Sequence, residues 1–244
     1  MNNIEMLKQM LIMQDEINSN TYGSATTSPP WHRAIWIECA ELIDHHGYKW
    51  WKSQEPDWGQ ITLEIVDIWH FGMSMLLEID FTVDELADDL LFHYDTVVNN
   101  EVSEALSFVE KVEVLAGTAI TGIFDTISFF DIMLTANIDL DMLFSMYIGK
   151  NVLNKFRQAN GYKQGEYIKI WHDGREDNEH LTDIMMILCT MMDNGTIKGD
   201  EIITHIMEAL QRAYDITIKN IEIEISHIQN IEIEIPQELS HDGC

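Results

Sequence analysis

The sequence predicts an all-α protein, and three observations carry that prediction. Proline occurs only at Pro29, Pro30, Pro56 and Pro236, so no strong helix breaker falls between Asp57 and Ile235. Two acidic pairs, each spaced three residues apart, lie inside apolar stretches: Glu38 and Glu41 in AIWIECAELI, and Glu64 and Asp67 in ITLEIVDIWHF. Side chains three apart share a face on a helix and oppose one another on a strand. At about 100° per residue, Gln60, Glu64, Asp67, Phe71 and Ser74 form one narrow polar stripe on an otherwise apolar stretch.

Read in order, helices are expected near 3–18, 31–50, 58–79, 83–98, 101–116, 119–135, 139–158, 178–193 and 199–215. The stretch TYGSATTSPP, 21–30, reads as a loop, with Pro30 placed just before a helix start. The segment 119–148 is too apolar for a solvated helix pair and reads as core or as a subunit interface. Gly161, Gly165 and Gly174 break the helical pattern between 160 and 177, giving a long loop of the kind that carries function. The end of the chain holds a duplication, NIEIEISHIQ from Asn220 and NIEIEIPQEL from Asn230. Its Ile/Glu alternation has the period of a strand, yet Ile218, Ile221, Ile225 and Ile228 also fit a helical stripe. An edge ribbon, an extension of the last helix and a poorly ordered tail all stay open. The expected organisation is one domain over 1–215, with a mobile loop and helices around 150–181, followed by the tail 216–244.

Composition sets outer limits. A chain of 244 residues, 46% hydrophobic with seven Trp and 14 Met, can bury a substantial core. The apolar runs are interrupted before they reach membrane-spanning length, and MNNIEMLKQMLIMQ lacks the basic start and small-residue cleavage site of a signal peptide, so a cytoplasmic protein is expected. Cys39, Cys189 and Cys244 are isolated and read as reduced thiols. A net charge of −28 argues against binding to a nucleic-acid polymer, which needs a basic track. The exception is local. Lys150, Lys155, Arg157, Lys163, Lys169 and Arg175 face only Glu166 and Asp173, making 150–175 net +4.

The acidic pairs give the chemistry. Carboxylates aimed from an apolar helix face need a positive partner, because uncompensated charge in such a place costs several kcal/mol or is lost by protonation. Four oxygen ligands on two helices suit a hard divalent cation, and the basic segment suits a small polyanion such as a nucleoside triphosphate. Two other readings remain. Glu64, Asp67 and His70 at successive steps of three suggest a di-iron carboxylate bundle, although the Glu-x-x-His pattern is incomplete because Leu42 stands three before His45. A non-catalytic helical protein that binds a partner through apolar faces would make the acidic seam accidental.

ECAE (38–41), EIVDIWHF (64–71) and NKFRQANGYKQGEYIKIWHDGREDNEHL (154–181), with MQDEIN (13–18), resemble the dimeric all-α dUTPases of the MazG-like nucleoside triphosphate pyrophosphohydrolase superfamily. The resemblance extends from about residue 4 to about 215 and leaves the duplicated tail outside. It implies a multi-helix bundle of the all-α NTP pyrophosphatase type, forming a homodimer. It also implies hydrolysis of dUTP, and of dUDP, to dUMP with two or more Mg²⁺ ions, which keeps uracil out of DNA. Glu38, Glu41, Glu64 and Asp67 would be the metal ligands, with Glu41, then Glu38, orienting the attacking water. Gln14 and Asn18, four apart on one helix face, would read the base, with Trp51, His70, Phe71 and Asn178 lining the base and sugar. Asn154, Arg157, Tyr162, Lys169 and Arg175 would meet the phosphates. A dCTP/dUTP or other dNTP pyrophosphatase is the alternative, since spacing does not show which pyrimidine edge an amide presents.

Overall fold

The computed structural model describes residues 1–22, 27–99, 105–193 and 201–234. Among these, all regular secondary structure is helical, apart from one isolated antiparallel bridge between Ile170 and Glu176. The all-α prediction holds. The chain divides into two compact units, 1–151 and 152–244, with the boundary inside a helix.

Unit 1 is built from α1 (Asn3–Tyr22), α2 (Trp31–His46), α3 (Trp58–Leu76), α4 (Val83–Asn99), α5 (Phe108–Ile120), α6 (Thr126–Thr135) and most of α7 (Leu140–Ala159). Local chemistry sets the ends. α2 begins after Pro30 and ends at His46, four residues earlier than the pattern predicts, because Gly47 takes φ +91° and its N–H caps the carbonyls of Ile43 and Asp44. Asp57 accepts from the Gln60 N–H to start α3. A reciprocal box between Ser107 and Glu110 starts α5 at Phe108 rather than near 101; residues 101–104 lie outside the described residues. Asp125 starts α6 at Thr126 rather than near 119, after a turn at Gly122.

α3 is the central element of unit 1, packed on α2 and α1. Eleven of its residues are buried, and Trp69 is fully enclosed by Phe124, Phe129, Phe130 and the Met10 sulfur. Gly72 lets Phe124 lie directly on the helix; a Cβ there would overlap the ring. Cys39 is buried, with its thiol pushed up to about 12 by burial, and forms no disulfide among the described residues. Cys244 and the Cys189 side chain lie outside them.

Unit 2 holds the end of α7, a 3₁₀ turn at Tyr162–Gln164, the bridged loop, α8 (Asp177–Asp193) and α9 (Ile202–Glu234). Its aromatic centre is Phe156, Tyr167, Trp171 and Tyr214, with Tyr167 stacked on Tyr214. Of the three readings left open for the tail, helix extension applies as far as Glu234, and 235–244 lies outside the described residues.

Candidate active site

The two acidic pairs meet because α2 packs against α3. One carboxylate oxygen from each of Glu38, Glu41 and Glu64 lies within 4.8 Å of the others, in a group that could hold a metal ion. Glu64 is buried, Glu38 half-buried and Glu41 exposed, so the cluster opens from the helix seam toward solvent. Burial pushes the carboxyls of both Glu38 and Glu64 well above the usual range. The two share a hydrogen bond, Asp67 raises both further, and Lys150 offsets part of the rise in each. His45 Nε2 lies 3.5 Å from Glu64 Oε1.

Asp67, the fourth acid of the seam, is not in the triad. Its Oδ2 accepts from Lys150 Nζ at 2.7 Å, and Lys150 is buried. The sequence placed Lys150 in the basic segment but gave no hint of this pairing across 83 positions. The cation that the acidic seam demands is, at Asp67, a lysine of the same unit.

Two turns along α3 a second polar group forms with α1 and α7. Gln14 is buried, with partners at both ends of its amide, and the Tyr147 hydroxyl that reaches it also reaches the Met10 carbonyl at 3.1 Å. Gln14 Nε2 donates to Ser74 Oγ (2.9 Å) and Asn18 Oδ1 (3.2 Å), and its Oε1 meets His70 Nδ1 (2.8 Å) and the Tyr147 hydroxyl (3.2 Å). His70 stacks on Tyr147 at 4.4 Å, and burial pulls its pKa down to about 4, so the ring is neutral. Its Nε2 is buried with no partner among the described residues. Tyr147 was not foreseen, and Ser74 was seen only as the end of the stripe. Neither residue type announces itself in an apolar helix.

Phe71 stacks on Trp31, whose indole N–H donates to Glu78 at 2.6 Å. Glu78 also bonds Ser28. Trp51 is exposed and packs edge-on against Trp50 and Tyr48, beside a groove of about 860 Å³ that Lys49 and Lys52 also line.

In unit 2, Arg157 grips the fully buried Asp177 with two bonds of 2.8 Å, and it also reaches Asn178 (3.0 Å) and Asn154 (3.4 Å). Asp177 and Tyr167, which donates to it at 2.8 Å, are members of this group that the sequence did not single out. Tyr162 is exposed. Lys169 pairs with Glu176, and Arg175 with Asp173 and Asp183.

A comparison with known families decides the class. The sequence model of a dUTPase family matches residues 6–162, well over half of the chain. The chain belongs to this dUTPase family. That makes it a dUTP diphosphatase and sets aside the di-iron and the non-catalytic readings. The matched span of the dUTPase chain takes in the acidic cluster, the Gln14 group and Arg157; Lys169, Arg175 and Asn178 lie beyond it. No curated protein matches the chain.

Proposed function

We propose that this dUTPase is Mg²⁺-dependent and converts dUTP, and dUDP, to dUMP, releasing pyrophosphate from dUTP. The observation that carries this reading is the convergence of Glu38, Glu41 and Glu64 within 4.8 Å at the α2–α3 seam. Three hard oxygen donors, two of them on carboxyls that burial raises well above the usual range, fit a hard divalent cation. Glu38, Glu41, Glu64 and Asp67 would hold Mg²⁺, two or more ions in all. When bound, the ions would neutralise the phosphate chain and lower the pKa of a coordinated water.

The chain's own groups supply the rest. Glu41, the exposed member, is our first assignment for the acid that orients the attacking water, with Glu38 next. Asn18, backed by Gln14, would read the uracil edge, and the neutral His70, Phe71, Trp51 and Asn178 would shape the base and sugar pocket. A close wall there rejects the ribose 2′-hydroxyl by contact and by leaving it unpaired. Asn154, Arg157, Tyr162, Lys169 and Arg175 are the donors suited to phosphate oxygens, Arg157 by its planar fork and Lys169 as a point charge. The enzyme would act in the cytoplasm as a homodimer, which light scattering would report as twice the 28.3 kDa chain.

The deciding experiment incubates the protein with dUTP, dCTP, dTTP or UTP, with and without Mg²⁺, and follows monophosphate and pyrophosphate. Formation of dUMP from dUTP only when Mg²⁺ is present is expected. A preference for UTP would overturn the sugar argument, and metal-independent turnover would overturn the role of the carboxylates.

A further inference from the structure

We infer that Ser74, acting through Gln14, fixes the amide of Asn18 so that its amine faces the base, and that this relay makes the enzyme select uracil over cytosine. The inference rests on the reading above that Asn18 meets the base.

Ser74 has a single hydroxyl proton and two acceptors in reach, the His70 carbonyl at 2.9 Å and Asn18 Oδ1 at 3.2 Å. If the proton goes to His70, the Ser74 oxygen can only accept, so Gln14 must turn its amine toward it. That bond is seen at 2.9 Å. The second Gln14 amine proton then reaches Asn18 at 3.2 Å and requires the carbonyl end of Asn18 to face inward. If the Ser74 proton goes to Asn18 instead, the same end of Asn18 is again the acceptor. Both positions of the proton give one orientation.

The far end of Gln14 agrees. With its carbonyl toward His70, the Nδ1–H of the ring donates, and the partnerless Nε2 is a bare acceptor. A reversed Gln14 would require Nδ1 to accept and would bury an unpaired Nε2–H, the rarer and costlier defect.

With Oδ1 held inside, the half-buried Asn18 has only Nδ2, a pure donor, to offer a ligand. Uracil presents a carbonyl at position 4, which accepts; cytosine presents an amine there, which would meet the Asn18 amine donor to donor. Gln14 is on this account a positioning residue, because it is buried and both ends of its amide are engaged inside the protein. Ser74 lies seven residues beyond Asp67 on α3, about 10 Å along the axis, so one helix carries both the acid stripe and the group that orients the base reader.

The test compares kcat/KM for dUTP and dCTP, with Mg²⁺, in wild type, Ser74→Ala and Gln14→Glu. Ser74→Ala removes one of the two groups that hold Asn18 Oδ1 inward and leaves the Asn18 amide freer to turn over; the dUTP-to-dCTP ratio should fall roughly tenfold, about the worth of one hydrogen bond, through a raised KM for dUTP more than a lowered kcat. Gln14→Glu places an acceptor against both Ser74 and Asn18, turns the Asn18 carbonyl outward and should favour dCTP. If this variant does not fold, Ser74→Ala decides alone. A loss in Ser74→Ala shared equally by both nucleotides would mark the serine as merely structural and overturn the inference. A wild type that takes dCTP as readily as dUTP would overturn it too, while leaving the hydrolase reading intact. Absence of dUMP from dUTP with wild type would overturn that reading, and this inference with it.

Discussion

Glu64 is an acid that the fold buries, so its carboxyl is pushed well above the usual range although Lys150 offsets part of the rise. In the metal-free protein its buried carboxyl, raised by burial and by Glu38, gives nothing to stability when ionised. Glu64→Gln should therefore fold, with a melting temperature at or above that of wild type, while dUMP formation drops by about a hundredfold or more, the usual cost of losing one charge-stabilising group. Scanning calorimetry and a pyrophosphate assay on the same sample check both halves; an unfolded variant would make Glu64 structural. His70 gives the opposite linkage. Its folded pKa, about 4, lies below the ordinary histidine value of 6.5. Between those values the unfolded chain binds the proton and the folded chain does not, so stability is present above pH 6.5 and is lost as pH falls toward 4. Urea unfolding of wild type and His70→Asn should show the wild-type advantage shrinking over that window, by at most about 3 kcal/mol for a shift of this size. A difference independent of pH would mean the ring is not held neutral. The acid pairs were legible in the sequence because a spacing of three inside apolar helix leaves them one common direction. The partners Lys150 and Tyr147 were not, because each meets α3 or α1 only through packing across long stretches of chain.

At the scale of elements, α3 is held by a contact that its own sequence does not display. Gly72 sits inside a long helix, where glycine is intrinsically unfavourable, and the reason is the Phe124 ring lying on its backbone. Gly72→Ala should cost about 1–3 kcal/mol by overpacking despite the better helix propensity of alanine. Gly72→Ala combined with Phe124→Ala should lose less than the sum of the two single changes, as urea titrations would show; strict additivity would exclude the contact as the cause. Where helices begin and end was legible only when a single residue type sets the boundary, as Pro30 does for α2. The later starts of α5 and α6 depend on Ser107 with Glu110 and on Asp125, common polar residues that cap a helix only once the backbone has turned there. The tail illustrates the limit of periodicity. Alternating Ile and Glu satisfies a strand pattern, but continuation from α9 needs no new nucleus, and helix is what forms through Glu234.

The molecule as a whole carries 42 acidic against 14 basic residues. Such an excess resists compaction, and any salt relieves it by screening, so a rise in melting temperature with added Mg²⁺ is not by itself evidence of a site. The acid triad makes a sharper demand. Specific binding to the folded state adds RT ln(1 + [Mg²⁺]/Kd) to stability, a contribution that grows with free metal and that a monovalent salt cannot supply. Raising Mg²⁺ at constant ionic strength, with Na⁺ as the balancing cation, should therefore still raise the melting temperature of wild type, and EDTA should reverse the gain. In Glu64→Gln the Na⁺ response should persist, because it belongs to the whole charge distribution, while the extra Mg²⁺ response shrinks, because it belongs to three oxygens within 4.8 Å. Equal responses to the two cations at matched ionic strength in wild type would show that the divalent ion is read only as screening, and the seam between α2 and α3 would then be an acidic surface rather than a metal site.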